Sequence, residues 1–404
     1  MDTLINYLEQ AVAAGLKLAR RPQFGFGPDP SGQDEAKEIV SDLLRQAMAT
    51  GLPIERRTID SSLLGGGNTA DMVRHIVLHA PFVFKMDRNE KLAKEGAIMR
   101  DIRANAAMPA RFREAWPVVY AIRETAPYAY LMEYFPEAEG WISLEDRLFP
   151  KGGAQTGPAE AVRLMHAVLD ILFEGYDASI DHRMLPSIGK DYVERIRERL
   201  EAAEKVDAVF RSRKLYRGDA ELTPWKQSLE RIAGAKAQLD AIAAPFSTIV
   251  HGDPNPGNLM LRTSHSSVEV KLIDPKDWGR GDYLFDIAKI THFLDATGPI
   301  EKPAAGATLT LSRKAVDGGV LDYAFETPAV TSQLVAACLE RVGQFAETHG
   351  DLHWRERYEL AMAANILGLP ATRFAHKINP RPDAAIALYG EGLTWLDRFC
   401  SRLK

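Results

Sequence analysis

An aspartate and an asparagine stand five positions apart in Ile249-Val-His251-Gly-Asp253-Pro-Asn-Pro-Gly-Asn258-Leu-Met-Leu. A second acidic stretch follows, Val270-Lys-Leu-Ile273-Asp274-Pro-Lys276-Asp-Trp-Gly279-Arg-Gly281-Asp282-Tyr-Leu-Phe-Asp286. Residues of these types, each set behind a short apolar run, suit the transfer of a phosphoryl group. That reaction needs the phosphate held, its charge neutralised by metal, and the attacking hydroxyl oriented and relieved of its proton. Asp253 faces the acceptor hydroxyl in this reading, and the side-chain oxygen of Asn258 turns toward a cation. Asp274 supplies the hard anionic oxygen that Mg²⁺ prefers. A plain turn is the competing reading, because His-Gly-Asp before Asn-Pro-Gly-Asn is ordinary turn composition. Two matched halves in the right order argue against it.

Those residues need elements to hold them. Residues 2–20 and about 34–50 have helical apolar spacing and flank the Gly/Pro-rich loop Phe24–Gly32. From Ile54 to Tyr134 the texture is short and β-rich, with strands expected at Val73–His79, Pro81–Lys85, Val118–Arg123 and Tyr128–Tyr134 and a helix at Glu90–Asn105. Beyond Pro136 helices are expected at roughly 157–175, 189–206, 220–242, 284–295, 328–348, 354–368 and 383–401, with a small hairpin at Thr308–Arg313 and Leu321–Phe325. The order predicts an α+β protein in three parts: an N-terminal helical extension (1–60), a small β-rich lobe (61–135) and a large, mainly helical lobe (136–404).

The pattern His251-Gly-Asp253-x₄-Asn258, then Ile273-Asp274, Gly281-Asp282 and Asp286, resembles the aminoglycoside phosphotransferase and choline kinase group. These are small-molecule kinases with the two-lobed protein-kinase fold. The resemblance implies ATP or another nucleoside triphosphate as donor, Asp253 as catalytic base, and Asn258 and Asp274 as Mg²⁺ ligands. It also implies that Asp282 and Asp286 brace the catalytic loop, with His251 as further support. Tyr130-Leu-Met-Glu133-Tyr-Phe135 is the expected hinge, where backbone groups of Glu133 to Phe135 pair with an adenine edge. A protein kinase is disfavoured: His-Gly-Asp stands for His-Arg-Asp, Ile-Asp-Pro for Asp-Phe-Gly, and no Ala-Pro-Glu follows.

The β-rich lobe has to grip the nucleotide. Lys85 ends the apolar run Phe82-Val-Phe-Lys85, where a buried ammonium needs a carboxylate; Glu95 in the next helix is the expected partner, with Glu90 the weaker choice. Gly65, Gly66 and Gly67 offer backbone N–H groups to phosphates, although the run lacks the Gly-Lys-Ser/Thr ending of a P-loop and suits a hairpin turn almost as well.

The acceptor is harder to read. Residues 327–404 hold eight Asp and Glu against nine Lys and Arg, which is not the acidic face a polycationic antibiotic requires. Arg373 and Lys377, with Arg381 close by, and Lys276 beside Asp274 fit a sugar or sugar-derived alcohol, anionic if these cations converge near the γ-phosphate; exposed surface cations are the competing reading and slightly the stronger one. An aminoglycoside or amino alcohol is the alternative acceptor, and a catalytically silent nucleotide-binding protein the alternative class. The presence of a base, two metal ligands and a lysine weighs against silence.

Composition narrows the partners. With 46% hydrophobic and 26% charged residues and a net charge of −5 spread along the chain, nothing favours nucleic acid or an anionic membrane. The N-terminus has no signal-peptide pattern and no apolar run is long enough to span a bilayer, so a cytoplasmic protein is expected. Cys338 and Cys400 read as buried thiols and His349-Gly-Asp351-Leu-His353 as a solvated loop.

Overall fold

The computed structural model describes residues 39, 42–47, 59–63, 72–78, 80–150, 156–211, 215–217, 220–264, 267–276, 279–302, 310–314 and 320–403. Most of the expected N-terminal extension, and Gly65, Gly66 and Gly67, lie outside these residues. The chain divides into two compact units, Met1–Ile142 with Met260–Asp277, and Ser143–Leu259 with Trp278–Lys404.

The first unit is built on a five-stranded antiparallel sheet. Its strands are β1 (Ile59–Leu63), β2 (Met72–Leu78), β3 (Ala80–Asp87), β4 (Val119–Arg123) and β5 (Tyr128–Glu133), in the order β1-β2-β3-β5-β4. β1 was not expected; it pairs antiparallel with β2. Phe82, Phe84 and Met86 on one face of β3 and Val83 and Lys85 on the other are all buried, as a central strand covered on both sides requires. Helix α1 (Lys91–Ala104) lies between β3 and β4 in sequence and buries Leu92, Met99 and Ile102, whose spacing puts them on one side. A short helix, α2 (Ala110–Ala115), and a three-stranded sheet of β6 (Trp141–Ser143), β7 (Leu259–Thr263) and β8 (Val268–Leu272) complete the unit, with β7 central.

The second unit is helical. Its principal helices are α3 (Leu144–Leu148), α4 (Pro158–Ala178), α5 (Arg195–Val206), α6 (Tyr283–His292), α7 (Ala329–Thr348), α8 (Trp354–Leu367) and α9 (Pro382–Arg402). The stretch expected as one helix over 220–242 instead holds a strand, Ala220–Leu222, and two helices that break at Gly234–Ala235. Glycine is a poor helix former, and the break falls where one stands. The hairpin expected near 308–325 forms from Thr310–Lys314 and Val320–Ala324.

All ten residues of α6 are buried, Asp286, Lys289 and His292 among them. An aromatic cluster supports this helix: Phe173 and Tyr176 of α4, Phe246, Tyr283 and Phe345 meet with ring centroids 4.9–6.4 Å apart. Two rings in the cluster carry hydroxyls that reach polar partners, Tyr176 to Asp286 and Tyr283 to Asp351.

Candidate active site

In the second unit the Asp253 segment is held from below. Thr248–Ile249 pairs with Arg280–Gly281, and the Val250 N–H continues this short ladder to the Gly279 carbonyl at 3.2 Å. The chain then turns at Gly252, whose φ of +78° strains any residue with a Cβ. The Asp286 carboxylate accepts hydrogen bonds from the His251 and Gly252 N–H groups, both at 2.7 Å, and from the Tyr176 hydroxyl at 3.0 Å. Burial pushes the Asp286 carboxyl up to about 7, against the pull of those three donors toward the charged form.

Asp282, expected to act beside Asp286, has a different task. It caps α6 by accepting from the Leu284 N–H at 3.1 Å and receives Arg357 Nε at 2.9 Å. Arg357 is fully buried and also grips Asp351, only 3% exposed, so the loop expected to be solvated at 349–353 has one buried member while Gly350 and Leu352 are exposed.

Past Asp253 the chain enters a tight turn. Asn255 Oδ1 accepts from the Gly257 N–H at 2.9 Å, and a Cβ at Gly257 would lie 3.0 Å from both that oxygen and Glu145 Oε2 on α3. Asn258 donates its Nδ2 to the Asp253 carbonyl at 2.9 Å, which fixes the amide and leaves Oδ1 as its acceptor.

Lys289 on α6 places its Nζ 3.3 Å from Asp253 Oδ1, and both side chains are largely buried. Sequence reading missed this lysine. Its signal was there: a lysine three residues after Asp286, inside the apolar run Ile287-Ala288-Lys289-Ile290, shares a helix side with that aspartate. Arg195, half-buried at the start of α5 with its guanidinium 5.1 Å above the Phe285 ring, also feels Asp253. Burial and Arg199 push Arg195 down to about 10, so it remains charged at neutral pH.

The first unit holds the other half of the predicted residues. Lys85 Nζ donates to Glu95 Oε1 at 2.8 Å and to Asp274 Oδ1 at 2.5 Å. Burial pulls the Lys85 pKa down, but the two carboxylates outweigh it and the net shift is upward. Tyr130, absent from the expected set, lies directly across from Lys85 in the β3–β5 register and donates its hydroxyl to Glu95. Asp274 follows β8 with φ +58°, a left-handed conformation that aspartate tolerates better than most residues. Glu90 pairs with Lys94 at the surface and takes no part.

At the expected hinge, the Glu133 N–H is already given to the Val118 carbonyl at 2.8 Å, and the Glu133 carboxylate accepts from the Val118 N–H. That removes one of the backbone groups expected to meet an adenine. Phe135 is buried, edge-on to Trp141 at 5.0 Å.

Of the expected acceptor-side cations, Arg373, Lys377 and Arg381 lie in the second unit and Lys276 in the first. Arg373 and Arg381 share the Glu301 carboxylate, at 2.5 and 2.8 Å, and Lys377 is exposed. Lys276 is half-buried after Asp274 in the first unit. Cys338 and Cys400 are free and buried.

Among the described residues no group of three or more His, Cys, Asp and Glu could enclose a metal, and no helix is long and apolar enough to cross a membrane. Asn258 Oδ1 in the second unit and the partly exposed Asp274 carboxylate in the first are each an oxygen of the kind taken by Mg²⁺, an ion that keeps several waters and binds through few protein oxygens plus phosphate.

Comparison with known proteins adds the lineage. The sequence profile of the phosphotransferase enzyme family (APH) matches residues 60–310, more than half of the chain. None of the curated proteins compared with the chain matches it significantly. Among solved structures, the Plasmodium vivax ethanolamine kinase superposes with a TM-score of 0.52 at 9% identity, over 96% of this chain and 94% of that one. Choline kinase from Cryptosporidium parvum gives 0.48 at 11% identity, over 90% of this chain and 96% of that one. A glucosamine kinase gives 0.44 at 14%, over 89% and 81%. The likeness to the ethanolamine kinase shows the fold, a two-lobed protein-kinase-like one with a small sheet-rich lobe and a larger helical lobe. By the profile match the chain belongs to the phosphotransferase enzyme family (APH), as a small-molecule kinase acting on a hydroxyl group.

Proposed function

We propose that the protein transfers the γ-phosphate of ATP to a hydroxyl of a sugar or sugar-like metabolite, with Asp253 as the base. The observation that carries this reading is the Asp253 turn: a carboxylate at a glycine-dependent corner, locked through two backbone N–H bonds to Asp286. Such rigidity is what a residue that orients a nucleophile requires. In the reaction the acceptor oxygen bonds to the γ-phosphorus, the bond from that phosphorus to the β–γ bridging oxygen breaks, and the hydroxyl proton passes to Asp253.

Asn258 Oδ1 and the Asp274 carboxylate hold Mg²⁺ in this reading, and the metal, when bound, neutralises charge on the triphosphate. Lys85, aligned by Glu95 and through it by Tyr130, reaches the phosphates. The first unit is the nucleotide-binding part and the second the catalytic and acceptor-binding part.

ADP release measured against sugars, sugar acids, amino alcohols and aminoglycosides tests the reading, with Asp253→Asn as control. Acceptor-dependent turnover is expected to fall by at least about 10²-fold in the variant, the lower end of what general base catalysis contributes. Unchanged turnover overturns the assignment of the base.

A further inference from the structure

The acceptor's charge can be read from what surrounds Asp253. If Asp253 receives the hydroxyl proton, the reacting oxygen sits within hydrogen-bond reach of its carboxylate. Lys289 Nζ is 3.3 Å from that same carboxylate, so the reacting end of the acceptor lies against a buried ammonium. Other charged groups among the described residues act here too, Arg373 among them through its effect on His292. Arg195 on α5 adds a second positive charge. Asp286 is spent on the turn, holding the His251 and Gly252 N–H groups. His292, one helical turn beyond Lys289, is driven well below its usual pKa by burial and by Lys289, and so is neutral; its Nδ1 lies 2.9 Å from Thr297 Oγ1.

We infer that the acceptor carries a carboxylate one or two carbons from the hydroxyl it presents, and that Lys289 holds this anion. The inference rests on the proposed role of Asp253 and deepens it. An acceptor with an ammonium at that distance, as in an amino alcohol, would bring a like charge up to Lys289 in a poorly hydrated setting, where repulsion is barely screened. A neutral polyol escapes the repulsion but makes no ion pair. An anion gains one, and it releases Asp253 from Lys289 to face the hydroxyl. A lysine suits the task because a compact, flexible ammonium can shift from one carboxylate to a neighbouring one.

The test uses two isosteric sets on the full chain: glycerate, glycerol and 3-amino-1,2-propanediol, and gluconate, glucitol and glucamine. Turnover is followed by ADP release, and binding by calorimetry with a non-hydrolysable ATP analogue and Mg²⁺, so that a compound bound without turnover still counts. The acid of at least one set is expected to lead its neutral partner, with the amine last. In Lys289→Met the acid-to-neutral ratio falls on the order of 100-fold, the usual cost of removing one partner of a buried charge pair, and Lys289→Arg recovers part of it.

The ratio is the readout because truncation also alters the surroundings of Asp253, which affects both compounds alike. If Lys289→Met does not fold, Lys289→Arg and the wild-type ranking still decide. A wild type that prefers the amine or the neutral compound, or binds neither acid, overturns the inference; so does a Lys289→Met ratio equal to wild type. Asp253→Asn separates the two readings. Full turnover there removes the proposed base, whereas a preference for the acid in binding alone stands or falls with Lys289.

Discussion

Asp286 shows how one buried carboxylate serves a neighbouring carboxylate. Its two oxygens take the His251 and Gly252 N–H groups and the Tyr176 hydroxyl, so the corner that presents Asp253 has little freedom. This arrangement has a pH signature. The Asp286 carboxyl is pushed from 3.8 up to about 7 by burial. Between those values the folded chain keeps a proton that the unfolded chain has released. The group's stabilising contribution is therefore present at the acid end and lost as pH rises through about 7. Asp286→Asn removes the titration. Relative to that variant, the wild-type melting temperature is expected to fall between about pH 5 and about pH 8. A difference that stays flat with pH would show that the three donors hold the carboxyl ionised throughout.

At the scale of elements, the unit that keeps α6 in place is an ion-pair network. Arg357 on α8 joins Asp282 at the start of α6 to Asp351 in the loop before α8, and Tyr283 completes the set through its own bond to Asp351. Every member is buried, so removing the cation strands two carboxylates away from water. Arg357→Met is expected to destabilise the fold by about 3–5 kcal/mol, the range for breaking a buried pair from one side. Chemical denaturation checks this, and a loss below about 1 kcal/mol, the size of an exposed pair, would mean that water enters the network.

The same helix shows what periodicity can and cannot reveal. Apolar spacing was enough to expect a helix near 284–295, and the chain forms one at Tyr283–His292. It did not reveal that the helix is buried on every side, which is why Lys289 passed unnoticed. Short elements were missed for a similar reason. β1, the helix Ala110–Ala115 and the strand Trp141–Ser143 hold too few residues to establish a period, and partners distant in sequence stabilise them.

For the whole molecule, the proposed Mg²⁺–ATP site predicts linked stability. Mg²⁺–ATP at about 100 times its dissociation constant adds about 2.7 kcal/mol to the folded state, a rise of a few degrees in melting temperature. Chelating the metal with EDTA is expected to abolish most of that rise, since few protein oxygens are offered and the phosphates complete the coordination. A shift that survives chelation would count against Asn258 and Asp274 as ligands.

The sequence by itself determined the chemistry and the class of architecture. Asp253, Asn258 and Asp274 could be proposed as the reacting residues from sequence because a tight turn and two short apolar runs are local features, written in contiguous residues. Lys85 with Glu95 was legible for a related reason: a lysine at the end of an apolar strand needs a carboxylate, and the next helix supplies one ten residues on. Tertiary structure alone decided which charges neutralise one another. Arg373 and Arg381, candidates for an anion site by sequence, are both taken by Glu301. Lys289, an unremarkable helix residue in the sequence, stands instead beside Asp253. Electrostatic partners are chosen by distance and burial, and for residues 36 positions apart neither is encoded in any local pattern.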